Sequence, residues 1–166
     1  MFSETQMSLA KTVLEPTLNF VLHLDATGSV VQKWGSAPVY LYAVVLPTPI
    51  RGEPPLPLLE WISNSHNTIA ISSVLFTWWL QAKNFLPPPN LIVTDCSWAF
   101  LHATSHVFSN MSLEQQLDRQ WAVLSSNEIS EGSVTLRLCA SHFIKAIGNR
   151  LVKKAIRKQV ALMLMV

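Results

Sequence analysis

Charge is scarce in this chain of 166 residues. Asp, Glu, Lys and Arg make up 13% of it, about half of the roughly 25% usual in globular domains. With 49% apolar residues, the composition excludes a disordered chain, whose signature is low hydrophobicity with high net charge. Cysteine is scarcer still. Cys96 and Cys139 are the only two, too few for a disulfide-stapled secreted scaffold. Thiols so far apart fit a reducing compartment, with a single bridge left open. The opening stretch MFSETQMSLAKT carries Glu4 and no apolar core, so it is not expected to act as a secretory signal. Trp61 to Ala82 contains no charged residue, but its dense apolar part runs only from Ile69 to Leu80. A membrane span needs about 20 apolar residues. These absences predict a soluble intracellular protein, nuclear or cytoplasmic, with no membrane partner.

One absence is local. Through Glu131 there are five Lys/Arg and ten Asp/Glu, a balance of −5; beyond it there are seven Lys/Arg and no acid, a balance of +7. The total of +2 therefore hides an acidic body with a basic end, an asymmetry that points to a polyanionic partner.

What is present reads as a mixed α/β chain. Leu18 to Leu24, Val30 to Trp34 and Val39 to Leu46 are apolar runs separated by the turns Ala26–Ser29 and Gly35–Pro38, which predicts an antiparallel meander. Pro47, Pro49, Pro54, Pro55 and Pro57 predict a loop, followed by one or two helical turns over Leu58 to Asn64. Then come a helix over Thr68 to Phe85, a short strand over Asn90 to Thr94 and a helix over Ser97 to Phe108. Trp98, Leu101, Ala103 and Val107 are its expected inward side. Ser112 and Gln115 form a capping box for a helix running to Leu124. A strand over Val134 to Leu138 and an amphipathic helix over Ala140 to Lys158 complete the order. Strand–helix alternation after a meander implies a mixed sheet with helices on its faces. The expected organisation is an extension over 1–17, one domain over 18–159 and an apolar tail over 160–166.

Two acids stand directly at the ends of apolar strands: Asp25 after VLHL and Asp95 after LIVT. Strand ends deliver polar side chains to a cleft. Two carboxylates meeting there repel each other unless a cation lies between them. Hard oxygen ligands suit magnesium or manganese, and paired ions can hold both oxygens of a phosphodiester displacement. The alternative is local: Asp95 caps the next helix and Asp25 makes an Asx-turn.

Leu22-His23-Leu24-Asp25-Ala26-Thr27-Gly28-Ser29-Val30-Val31 resembles the first catalytic-aspartate strand and hairpin of Mutator-like transposases, closest to the divergent transposase-derived proteins of animal genomes. Leu91 to Phe100, LIVTDCSWAF, resembles their second-aspartate strand and aromatic-rich helix. Leu136 to Phe143, LRLCASHF, resembles the Cys-x-x-His motif that follows. The three occur in order, and the resemblance covers roughly Leu18 to Leu151, most of the chain. The resemblance implies a ribonuclease H-like fold and a DDE-type nuclease core. Asp25 and Asp95 would then be the catalytic residues and the Mg or Mn ligands. It also implies a third acid on a later helix. No acid follows Glu131, and Glu128 and Glu131 precede the Cys-x-x-His motif. The expectation is a C-terminally incomplete, catalytically inactive relative. The alternatives are a nuclease fragment that takes its third acid from elsewhere, and a non-catalytic interaction module docking through the tail.

Cys139 and His142 lack the second ligand pair that zinc requires, which favours a buried Cys and a hydrogen-bonded His. Lys145, Arg150, Lys153, Lys154, Arg157 and Lys158 form a basic stripe suited to DNA phosphates, or else a solvated helix face. Trp78 and Trp79 are expected in the core. His23 falls inside a strand. His102 and His106, one helical turn apart, are expected to pack rather than bind metal.

Overall fold

The computed structural model describes residues 3–14, 19–28, 38–50, 52–126 and 134–150. The elements are α1 (Glu4–Leu14), β1 (Val21–Gly28), β2 (Tyr40–Leu46), β3 (Leu56–Ser63), α2 (Thr68–Ala82), β4 (Leu91–Thr94), α3 (Trp98–Thr104), α4 (Leu113–Ser126), β5 (Thr135–Leu138) and α5 (Ala140–Arg150). A single π-helical turn, Ser105–Ser109, prolongs α3. The strands form one sheet in the order β3-β2-β1-β4-β5. The pairs β1–β2 and β2–β3 are antiparallel, and β1–β4 and β4–β5 are parallel. The fold is mixed α/β, as expected from the element order.

Alternation sets the inward face. Leu22 and Leu24 of β1 are buried, and their register partners in β4, Ile92 and Thr94, are buried beside them. Tyr42 and Val44 of β2 continue that face, with Phe100 of α3 edge-on to the Tyr42 ring. Val21, His23 and Val93 point to the other face and are half-buried. A period of two does this in any paired strand. Asn90 ties three strands together: it donates to Phe20 O at 2.8 Å, its Oδ1 accepts Phe20 N–H at 2.8 Å, and its carbonyl accepts Thr135 N–H at 2.8 Å. The capping box at Ser112 forms as expected, with Ser112 N–H on Gln115 Oε1 at 3.0 Å and Gln115 N–H on Ser112 Oγ at 3.2 Å. Asn67 Oδ1 caps α2 by accepting Ala70 N–H at 2.9 Å. Two glutamines of α4 cover the outer edge of β5. Gln120 takes both the N–H and the C=O of Leu136, and Gln116 donates to Val134 O at 2.6 Å.

Several expectations are corrected. Leu58 to Asn64 is not helical: Leu56–Ser63 is β3, the outermost strand beside β2. Pro57 is tolerated because the strand is an edge and the register shifts at its partner Val45. Ala26 to Gly28 is strand rather than turn, because β2 supplies partners as far as Gly28↔Tyr40. The expected strand Val30 to Trp34 lies outside the described residues. Residues 4–14 form a helix whose Met7 and Ala10 are fully buried in the same core. Trp98 is not inward but 70% exposed, and Phe100 takes its place. His102 and His106 are exposed rather than packed. Trp78 is buried and Trp79 packs against the core, as expected. No described helix is long and apolar enough to cross a membrane.

Candidate functional site

In parallel strands the carboxyl ends lie together, so whatever follows each strand shares one edge. β1 and β4 are neighbours, and their last register pair is Leu24↔Thr94. Asp25 and Asp95 are the next residues of the two strands. They leave the sheet side by side at the point where parallel pairing stops, although β1 itself continues against β2. β5 ends at the same edge, where the Cys139 N–H donates to Thr94 O at 2.6 Å. This bond seats the Cys-x-x-His segment beside Asp95. His142, in the first turn of α5, then reaches Asp25 with Nε2 4.0 Å from Oδ1, an ion pair when the imidazole is protonated. The three sequence motifs thus converge on one edge.

The two carboxylates differ. Asp25 is exposed, and its Oδ1 accepts the Ala26 N–H at 2.8 Å. Asp95 is half-buried, and its Oδ1 accepts the Ser97 N–H at 3.0 Å. Burial pushes the Asp95 carboxyl above its ordinary range. The Ser97 N–H and the nearby His142 pull it down, Asp25 pushes it up again, and His66 pulls it down. A carboxylate raised by burial and by a second carboxylate favours a proton or a cation.

The oxygen donors at this edge are two carboxylates, Asp25 and Asp95. Among the described residues, the hydrogen bonds of both Asp25 and Asp95 go to Oδ1. Magnesium is ordinarily held by one or two carboxylates and completes its shell with water. Zinc needs about four ligands, often thiolate, and no group of three His, Cys, Asp or Glu suited to a metal occurs among the described residues. Cys96 is exposed and Cys139 half-buried, both as free thiols. The Nδ1 of His142 is buried with no hydrogen-bond partner among the described residues.

The expected nucleic-acid residues are only partly described. Lys145 is exposed on α5. Arg150 ends that helix, and Lys153, Lys154, Arg157 and Lys158 lie outside the described residues, as does the tail over 160–166. Arg137 on β5 is a further exposed cation.

Three residues the sequence reading passed over belong to this edge. His66, in the loop from β3 to α2, places Nε2 2.9 Å from Ser97 Oγ. Its Nδ1 is 3.0 Å from the Tyr42 hydroxyl, which also donates to Ser65 O at 3.1 Å. Burial, with Tyr40 and Asp95 adding to it, pushes the Tyr42 phenol up to about 12, so it stays protonated. The only sequence signal was a Ser two residues after Asp95, and His66 is 31 residues from it in the chain.

No protein-family model matches this chain, and no curated protein sequence matches it.

Proposed function

We propose that this chain is a transposase-derived, ribonuclease H-like protein that keeps a two-carboxylate cation site and binds DNA without cutting it. One observation carries the reading: Asp25 and Asp95 follow the paired residues Leu24 and Thr94, where the parallel pairing of β1 and β4 stops. An antiparallel meander feeding parallel strands is the order that a ribonuclease H-like sheet requires, and the ordered motifs add to it. Asp25 and Asp95 would hold magnesium or manganese. When bound, such an ion supplies charge stabilisation at a phosphodiester oxygen. The side chains do the rest: Asp95 offers a carboxylate held by the Ser97 N–H, and His142 stands beside Asp25. No acid follows Glu131, so the chain alone lacks the third ligand of the family pattern and does not catalyse strand transfer. The uncompensated positive charge after Glu131 supports DNA contact through phosphates.

The test combines a manganese titration with binding to a labelled duplex at two salt concentrations. Manganese should bind weakly and be lost in Asp95→Asn and Asp25→Asn. Duplex binding should fall steeply as salt rises, with no nicking. Tight duplex binding that ignores salt, or manganese binding unchanged in Asp95→Asn, would overturn the reading. Magnesium-dependent nicking that Asp95→Ala abolishes would favour a nuclease that takes its third acid from elsewhere.

A further inference from the structure

Ser97 is the N-cap of α3 but does not cap it, because its hydroxyl makes no bond to the helix's own N–H groups. Ser, Thr, Asp and Asn are favoured at that position because they make such a bond. The hydroxyl goes to His66 instead, at 2.9 Å. Tyr42 determines the direction of that bond. The phenol has one proton, and a carbonyl, which can only accept, lies 3.1 Å away on Ser65. With the proton there, the phenol oxygen accepts Nδ1–H of His66. In the neutral imidazole Nε2 is then the unprotonated nitrogen, and it accepts the Ser97 hydroxyl proton. The chain therefore runs from Ser97 through His66 to Tyr42.

Both of its ends are anchored. Tyr42 is fully buried, and its ring stacks on Trp61 at 4.7 Å between centroids with 9° between planes. Phe100 of α3 also meets His66 edge-on, with centroids 5.6 Å apart. At the other end, the Ser97 backbone N–H holds Asp95 Oδ1. The hydroxyl bond to His66 thus tethers the residue whose amide holds Asp95.

We propose that Tyr42, His66 and Ser97 are positioning residues that orient the Asp95 carboxylate from the core outward. This deepens, and rests on, the cation-site reading above. Partners that orient metal ligands commonly matter about 10–100-fold in metal affinity. The same Ser–His contact on its own would suggest an activated nucleophile. Asp25 and Asp95 beside it argue against that, since two carboxylates oppose an oxyanion developing there.

The experiment uses the full chain and two readouts. The first needs no metal: the Ser97 amide proton shift in the NMR spectrum, which reports its bond to Asp95. The second is manganese affinity, with the spectrum of bound manganese. In folded Ser97→Ala and His66→Ala variants, the amide proton should move upfield and manganese affinity should fall about tenfold. Ser97→Thr keeps the hydroxyl and should restore both. Tyr42→Phe, which keeps the ring in the core, should give a partial loss. Folded His66→Ala with the amide shift and manganese affinity of the wild type overturns the proposal. A wild type that takes no manganese overturns the cation site instead, and the amide shift alone then decides the positioning.

Discussion

The two ends of the sheet are built on opposite principles. At the carboxyl ends of β1, β4 and β5, polar side chains gather in a small space: Asp25, Asp95, His142, His66 and Ser97. At the other end, α1 and the proline-rich segment enclose an apolar groove of about 550 Å³ lined by Leu9, Ile50, Pro54 and Leu56 among others. No titratable pair lines that groove. Hollow space there follows from proline, which holds the chain away from the sheet. The polar end is where backbone direction, not volume, brings side chains together.

The difference can be broken or sharpened by substitution. The largest effect belongs to Tyr42→Ala, which empties a fully buried ring site and removes the anchor of His66. It should lower stability by about 3–5 kcal/mol, as for other buried aromatic truncations, measured by urea unfolding. Less than 1 kcal/mol would mean that the core does not extend to the polar end. Gln120→Ala should cost about 1–3 kcal/mol, because the Leu136 N–H and C=O lose their side-chain partner. Faster exchange of the Leu136 amide with solvent would locate that loss at the β5 edge.

Asp95→Asn should act in the opposite direction. Its folded carboxyl sits above the ordinary value, so the native state binds the proton more tightly than the unfolded chain. Stability is then greatest below the unfolded value of 3.8 and falls as pH rises toward the folded value. Removing the charge should raise the melting temperature at neutral pH and flatten that slope. A melting temperature that drops would show that the carboxylate is stabilised where it stands. The smallest effect is expected at the groove. Ile50 is 65% exposed, and Ile50→Ser should change stability by no more than about 0.5 kcal/mol.

Much of the polar end was legible as pattern. Asp25 and Asp95 stood out because each follows an apolar strand, and Cys139 and His142 because of their spacing. The Ser112–Gln115 box could be read from local chemistry alone. His66 could not, since its partners Tyr42 and Ser97 are distant in the chain. β3 was misread because prolines argue against a strand until its edge position is known. α1 looked like an extension because Met7, Ala10 and Leu14 make a narrow stripe whose burial depends on what lies beneath it.

Composition, charge asymmetry and strand periodicity are written into this chain locally, and they determine a mixed α/β protein with an acid after each of two apolar runs. Which acids share an edge was decided by the sheet order β3-β2-β1-β4-β5, since a strand's own residues do not specify its neighbour. The orientation of Asp95 was decided further away, through Ser97 and His66 to Tyr42. Hydrogen bonds of a few ångströms act across any sequence distance, and only the packed chain brings their ends within reach.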